Sequence, residues 1–369
     1  MDNKIVKLGV IGLGRGLHIV REVACDRDVK ITAICDRNTE LMEEAKYYLE
    51  NQKGVTGFEC FDNFDDFLKA DTDAVVIATD AIYHVPFVIK ALDAGKHVLS
   101  EIPAVNSLEE AKMLKKAVMS HPNLKYMAGE NDCYLGFIQA WKKMYEEGKF
   151  GETVYAEAEY FHSTKDYKSF KKEDYKKDHW RTFNPAIKYL THDLGPLLQV
   201  MNDKVVSVNC LEPDVVYNPY KEKGSENAVA LFKTAKGAVI RILICFGACV
   251  GATHNYRLYG TRGSIVFDQC TPRPEAHCFA HFSDIKSNEM IEIPITCSCF
   301  GDGKGEGHLG IDRKMMRDFI ECIKNDTPSP IDVDLAIRMS LPGIYAHESA
   351  LQNGAPVAIP DVDDMDWDV

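Results

Sequence analysis

No stretch of this 369-residue chain reaches the roughly 18 consecutive apolar residues that a membrane-spanning helix needs, so a transmembrane enzyme or channel is not expected. The opening MDNKIVKLGVIGLGRG enters a glycine-rich apolar strand at once and lacks the apolar core and small-residue cleavage site of a secretory leader. There is no CxxC pair. The twelve cysteines are irregularly spaced, as expected of small hydrophobes in a reducing, cytoplasmic setting. Cys297 and Cys299 are the closest pair, and a single intervening residue is poor metal-ligand spacing. Positive charge is not in excess: 43 Lys and Arg face 56 Asp and Glu, which argues against a nucleic-acid or anionic-membrane partner. Long repeats and low-complexity tracts are missing too, and the acidic run from Asp361 to Asp368 reads as a solvated terminus. What remains is a chain that is 46% hydrophobic and long enough for two cores. The pattern divides it into a first domain over 1–128 and a second over 129–369.

The first domain is read from its glycines and apolar runs. IVKLGVI (5–11) is a short buried strand running into GLGRGLHIVREVA. Gly12 and Gly14 have the spacing of a dinucleotide fingerprint. Gly16 comes one place early, and Leu17 stands where the third glycine of G-x-G-x-x-G is expected. A second apolar run, VKITAIC (29–35), ends in Asp36, about 20 residues after the glycines, where a carboxylate accepts hydrogen bonds from ribose hydroxyls. A carboxylate there repels a 2′-phosphate and favours NAD, while the adjacent Arg37 keeps NADP open. Further strands near 58–60 and 73–79 alternate with helices over 39–51 and 84–94, which predicts a doubly wound parallel (Rossmann) sheet and an α/β fold. Ligand binds beyond the carboxyl ends of such strands. The residues there are Gly12, Gly14, Arg15, Gly16, Asp36, Thr79, Ala81, His84, Glu101, Ile102, Glu130 and Asn131. The helix after the glycines offers N–H groups to a pyrophosphate, and Arg15 is placed to add a charge-assisted bond.

VIGLGRG, CDR, DAVVIAT…H…ALDAGKHVLSEIPA and GEN resemble the Gfo/Idh/MocA superfamily of NAD(P)-dependent oxidoreductases, and the likeness extends from Lys4 to about Asp361. Its most specific block is Asp73–Pro103. The superfamily's Glu-Lys-Pro is Glu101-Ile102-Pro103 here, so the lysine that ordinarily helps move the substrate hydroxyl proton is replaced by an alkyl side chain.

From about Gly151 the pattern changes to alternation. ETVYAEAEYFHS (152–163) and the segments 204–211, 227–234, 237–246, 254–260, 263–268, 277–283 and 290–295 predict a large, mainly antiparallel sheet in an α+β domain. Its uncovered face calls for a second subunit, as a homodimer or homotetramer. The helix over 311–324 is expected to pack near this domain, with a further helical region over 331–353. The lysine-rich stretch 165–178 reads either as a solvated insertion or as a lid with attraction for an anionic substrate. Trp180 and Arg181 follow it: a flat apolar plate for a sugar ring and a planar fork for hydroxyls or a carboxylate.

IKYLTHDLGPLL (187–198) concentrates the remaining polar groups. If 187–194 is helical, Tyr189 and His192 share a face at i, i+3, Lys188 lies one turn before His192, and Gly195-Pro196 kinks or restarts the helix. A lone histidine at such a place is commonly a satisfied capping residue, and its companions shift that reading. The pattern Y-x-T-H-x-L-G-P is similar to that of NAD-dependent glycosidases such as the α-N-acetylgalactosaminidases, which also carry a small apolar residue in place of the lysine, an Asn-x-x-Tyr like Asn131–Tyr134, and a Trp-Arg pair. That resemblance implies His192 and Tyr189 as catalytic groups and Tyr160, Trp180, Arg181, Lys188 and His308 as substrate contacts. It also places Asp312, in GEGHLGID, near the site.

The chemistry expected is hydride transfer from a secondary alcohol of a sugar or polyol to NAD. His192, with an ordinary pKa of about 6.5, would be the base for the hydroxyl proton. Three outcomes stay open: net dehydrogenation; transient oxidation followed by elimination and re-reduction, with Tyr189 as second proton-transfer group; and a non-catalytic NAD-binding sensor. A metal is not expected, because His277, His281 and His308 lack an acid or cysteine to complete a set.

Overall fold

The computed structural model of the chain describes residues 5–162, 184–215, 226–248, 251–268, 277–286, 289–295 and 310–363. They form two compact units. The first holds the chain up to Asn131 and takes back the later stretch from Gly310 to Ile337; the second holds the described residues from Asp132 to Ile295 and from Arg338 to Asp363.

The first unit is a six-stranded sheet in the order β3-β2-β1-β4-β5-β6, every neighbouring pair parallel. Its strands are β1 (Val6–Ile11), β2 (Val29–Cys35), β3 (Glu59–Phe61), β4 (Ala74–Ile77), β5 (His97–Ser100) and β6 (Tyr126–Ala128). Helices α1 (Leu13–Val23), α2 (Thr39–Tyr47), α3 (Phe64–Phe67), α4 (His84–Asp93) and α5 (Leu108–Ser120) make the crossovers. The central strand β4 is buried at every position, as an apolar run covered on both faces must be. Helix starts follow local chemistry. Asn38 caps α2 by accepting from the backbone N–H groups of Glu40 and Leu41. Ser107 accepts from Glu110 N–H while the Glu110 carboxylate takes Asn106 N–H, fixing the start of α5.

The second unit is built on a nine-stranded mixed sheet, ordered β14-β13-β12-β11-β7-β10-β9-β8-β15. The strands are β7 (Thr153–Phe161), β8 (Val205–Leu211), β9 (Asn227–Thr234), β10 (Val239–Cys245), β11 (Thr253–Gly260), β12 (Gly263–Asp268), β13 (His277–Phe282), β14 (Ile291–Ile293) and β15 (Val357–Ala358). Only β7 and β10 pair in parallel; the remaining neighbours are antiparallel. Alternation decides the two faces. In β9 every second residue is buried, and the intervening Val229 and Leu231 are exposed. Helices α6 (Gly136–Glu146) and α7 (Thr191–Met201) lie together on the buried face, with α7 against β7. On the opposite face Glu157 accepts from Arg241, Arg257 and Tyr155, and Glu159 pairs with Arg241 and Asn255.

Helix α8 (Ile311–Asn325), expected near the second domain, belongs instead to the first unit, where it packs on α1. Ion pairs Arg313–Glu22 and Lys324–Asp28 hold it there. An amphipathic pattern tells which face of a helix is buried but not which sheet will bury it. Helix α9 (Val333–Leu351) runs through Pro342 to the end of the described helical region.

Candidate active site

The glycine turn joins β1 to α1 as the sequence implies. Gly12 has φ 85°, and a Cβ there would lie 2.4 Å from the carbonyl oxygen of Ala78, so both the conformation and the crowding demand glycine. Gly14 is different: a Cβ at that position would meet nothing within 4 Å, which leaves open space above the helix start. Gly16 supplies the close approach that the third glycine of the fingerprint serves. Its Cβ would come within 2.8 Å of Val10 Cγ1, on the strand that α1 crosses. The shift of one residue therefore still leaves a glycine facing the sheet, and Leu17 is buried in the core.

Asp36, just past β2, receives Leu13 N–H on Oδ2 at 2.6 Å and Asn38 N–H on Oδ1 at 2.8 Å. The carboxylate thus fixes the turn from below, and each oxygen keeps a further lone pair for an outside donor. Arg37 lies over the Tyr83 ring with 6.0 Å between guanidinium carbon and centroid. Beyond the Leu13 N–H that Asp36 accepts, the α1 start has no acidic residue in its first turn and no side-chain cap, and its positive end favours an anion at the following N–H groups. These features fit a dinucleotide.

Arg15 is held by carboxylates. Nη1 and Nη2 each lie 2.7 Å from the Asp312 carboxylate, and Nε lies 3.0 Å from Glu101. Asn131 Nδ2 donates to the same Asp312 at 3.0 Å. The side chain whose place in the glycine turn suggested a pyrophosphate contact also ties α8 to the end of β5. His84 is fully buried, with Nδ1 2.9 Å from Pro103 O and Nε2 3.0 Å from Thr79 O. Burial pulls its pKa down, although both carbonyls favour the proton. Its imidazole bridges the loops after β4 and β5. Ala81 is buried in the turn Ala81–Tyr83, and its carbonyl accepts from Asn106 Nδ2 at 3.0 Å; Ile102 is buried beside Glu101.

In the second unit, 187–194 is not one helix. A 3-10 turn, Ala186–Tyr189, ends at Leu190, and α7 begins at Thr191 and runs straight through Gly195-Pro196. Pro196 has no N–H to give the carbonyl four residues back, which is that of His192. Tyr256 on β11 donates its hydroxyl to that carbonyl at 2.6 Å. The proline thus creates an acceptor, and a tyrosine from the sheet fills it and fixes the backbone of His192. The turn and the helix still bring Tyr189 and His192 together, edge to face at 5.3 Å between ring centroids, both half-buried. Lys188 is half-buried beside them, and helix α9 buttresses the turn: a Cβ on Gly343 would stand 2.7 Å from Ile187 O. Tyr160, buried on β7, is also edge-on to His192 at 5.7 Å.

Sequence reasoning missed three members of this group. His254 sits opposite Tyr160 in the β7/β11 register, and the two rings stack at 4.0 Å. Its Nδ1 is 3.6 Å from Asp132 Oδ2 and 3.6 Å from Asp193 Oδ1. Asp193 follows His192 directly and is fully buried, a signal that periodicity alone could have raised. Trp180, Arg181 and His308 lie outside the described residues, as do the lysine-rich stretch, Cys297 and Cys299. His277 pairs with Glu292, and among the described residues no three His, Cys, Asp or Glu side chains are grouped to hold a metal. No helix among them is long and apolar enough to cross a membrane.

A parallel sheet ordered 3-2-1-4-5-6, with a glycine turn at its switch point and a carboxylate after β2, defines a dinucleotide-dependent oxidoreductase fold. The chain belongs to the Gfo/Idh/MocA oxidoreductase family. Residues 6–129 match its NAD-binding Rossmann fold and residues 142–359 its C-terminal alpha/beta domain, so NAD is the cofactor of the first unit. Among relatives, the chain is 27% identical to an alpha-N-acetylgalactosaminidase of Bacteroides fragilis over 98% of its own length and 93% of the relative's. It is 26% identical to glycosyl hydrolase family 109 protein 1 of Phocaeicola vulgatus, over 98% of this chain and 85% of that protein. Its fold is similar to that of a levoglucosan dehydrogenase in complex with NADH (TM-score 0.82, 20% identity, 97% of this chain and 100% of that one). The same holds for scyllo-inositol dehydrogenase from Lactobacillus casei (TM-score 0.78, 20% identity, 96% and 99%).

Proposed function

We propose that this protein oxidises a secondary alcohol carbon of a carbohydrate or polyol, with His192 as the base that accepts the hydroxyl proton. The observation that carries the proposal is the half-exposed His192 imidazole, fixed through its own carbonyl by Tyr256 and flanked by Tyr160 and Tyr189. An imidazole with an ordinary pKa of about 6.5 is largely unprotonated at neutral pH and able to take a proton. Two phenolic rings set edge-on beside it offer apolar walls and hydroxyls, which suits a sugar or inositol ring. Bound NAD supplies the electron acceptor. Gly12, Gly14 and Gly16 shape its cradle, Asp36 and Arg37 meet the adenosine end, and Thr79, Ala81, His84, Glu101, Ile102 and Asn131 form the loops and walls nearest the reacting end. Arg15 acts there through the Glu101 and Asp312 carboxylates. Lys188 and Tyr160, with Trp180, Arg181 and His308, are assigned to substrate.

A second reading is favoured by Ile102, which stands where a lysine would serve a simple dehydrogenase, and by the named activity of the Bacteroides fragilis relative. In it the alcohol is oxidised only transiently. Tyr189 then takes the proton from the carbon next to the new carbonyl, the glycosidic group leaves, water adds, and the original oxidation state returns. A panel of levoglucosan, inositols and an aryl α-N-acetylgalactosaminide separates the two. Net oxidation gives reduced nicotinamide in step with product; the second reading gives aryl release without it, and deuterium from solvent beside the oxidised carbon. No turnover on any class, with NAD binding indifferent to His192→Ala, would leave only a cofactor sensor.

The assembly we assign is a homodimer or homotetramer through the exposed sheet face, where Val229 and Leu231 flank the Glu157–Arg241–Arg257 network. Sedimentation of wild type and Leu231→Lys tests it: a monomeric wild type overturns the assignment. A cytoplasmic location is supported by the free cysteines among the described residues.

A further inference from the structure

We propose that Phe246 and His162 form a platform for a second ring beside the reacting sugar, so that the preferred substrate is a glycoside rather than a free monosaccharide or polyol. The inference rests on His192 being the base and deepens that reading by naming the substrate class. It applies to net oxidation and to the redox-neutral route alike.

The platform follows from the strands. Tyr160 on β7 and Ile244 on β10 are register partners, and they end the buried rows of their strands. Two residues further on, alternation puts His162 and Phe246 on the same sheet face, and there both are only half-buried. Their rings meet at 5.9 Å with 68° between planes. The neighbouring β11 runs antiparallel to β7, so its start lies beside this end of the sheet. Gly251 and Ala252, just before that start, are exposed, and a Cβ on Gly251 would meet nothing within 4 Å. The face that α7 covers further in is open here.

Tyr160 joins the pair to the base. It is buried, stacked on His254 at 4.0 Å and edge-on to His192 at 5.7 Å. Phe246 and His162 meet the same ring at 5.0 and 5.4 Å. A sugar held at His192 thus has two half-buried rings within reach across a single side chain. The backbone pre-sets them. His162 N–H donates to Cys245 O and Phe246 N–H to Glu226 O, each at 3.1 Å, and Gly247 N–H donates to Asn227 Oδ1 at 3.0 Å. A Cβ on Gly247 would stand 2.8 Å from Glu226 Oε2, so the chain turns tightly behind Phe246. Rings held in this way lose little freedom when a ligand packs on them. Set at a steep angle, they offer an apolar corner of ring size, which suits the C–H face of a pyranose or an aromatic aglycone. Rings that served packing alone would be covered, as Tyr160 is.

The test is equilibrium binding in the presence of NAD, read by calorimetry. The ligands are the methyl and phenyl glycosides of galactose, glucose and N-acetylgalactosamine, in both anomers. For the sugar that the site accepts, the phenyl glycoside should bind about tenfold more tightly than the methyl glycoside. Phe246→Ala should remove that gain and leave affinity for NAD and for the methyl glycoside as in wild type; His162→Ala should remove part of it. A merely structural role would weaken both glycosides together and overturns the proposal. So do equal affinities for phenyl and methyl glycosides, a gain that survives in Phe246→Ala, a preference that follows the acetamido group instead of the aglycone, and a protein that binds none of these glycosides. If Phe246→Ala does not fold, Phe246→Leu keeps most of the volume without the flat face, and the same comparison decides. Turnover that survives His192→Ala would remove the base assignment while leaving the phenyl gain and its loss at Phe246 intact, so the two failures are distinguishable.

Discussion

Arg15 and Asp312 meet edge to edge across 297 positions of sequence, with two parallel N–H···O contacts of 2.7 Å. The acid is 0% exposed, and the arginine sits in the first turn of the helix that opens the cofactor cradle. A bidentate pair of this kind fixes both elements in angle as well as distance. Asp312→Asn leaves the half-buried guanidinium with Glu101 as its anion and should cost about 1–3 kcal/mol. Denaturant unfolding of the single variant measures it. The double variant Arg15→Met/Asp312→Leu should recover at most a small part of the loss, since it also removes the Arg15–Glu101 ion pair.

His192→Ala should lower kcat by about 10²–10⁴-fold while NAD affinity, read by fluorescence titration, stays the same. Tyr189→Phe separates the two chemical readings. It should leave alcohol oxidation largely intact and suppress aryl release if the redox-neutral route operates.

Tyr256→Phe removes the donor to the His192 carbonyl, which Pro196 cannot replace. The buried acceptor left over should cost about 1–3 kcal/mol in stability. Turnover should fall about tenfold or more at nearly constant NAD affinity, because the imidazole loses its fixed position. Pro196→Ala in the same background should restore part of the stability by returning an N–H to that carbonyl.

Asp36→Ala removes the carboxylate proposed to meet the ribose and should raise the dissociation constant for NAD by about 10–100-fold, the equivalent of a hydrogen bond to a charged group. NADP should lose less or gain, with Arg37 beside the 2′-phosphate. Part of the NAD loss will be conformational, since Leu13 N–H loses its acceptor as well. A variant that keeps its preference for NAD undiminished would count against this placement of the ribose.

Burial raises the Glu157 carboxyl, but hydrogen bonds from Tyr155, Arg257 and Arg241 and the Arg241 charge outweigh it and bring it down to about 2, from an ordinary 4.5. Its contribution to stability is therefore complete above about pH 4.5 and lost as pH falls toward 2. Glu157→Gln should flatten the acid limb of a stability–pH profile across that window and leave the neutral region parallel to wild type.

Much of the fold could be read without coordinates. Strand β4 is a short unbroken apolar run, β1 and β2 are apolar except for Lys7, Lys30 and Thr32, β9 and β12 match the alternating segments residue for residue, and the order of strands and helices implies the parallel sheet. Gly12 and Asp36 were legible because a left-handed turn and a carboxylate after the second strand leave their mark within about 25 residues of sequence. Tyr189 and His192 were legible for the same reason, although the helix assumed there is broken at Leu190.

What the sequence determined by itself is thus everything carried by neighbours along the chain: strand and helix periods, the glycine turn, the acid after β2, the Tyr/His pair. Tertiary structure alone decided the rest. Cross-strand register set His254 on Tyr160, and the helix–sheet contact brought Asp132 and Asp193 to the same imidazole nitrogen. The return of a late helix gave Arg15 its partner. The physical reason is that a residue's period fixes which face of its own element it occupies, whereas its partner depends on how distant elements bury their apolar faces together.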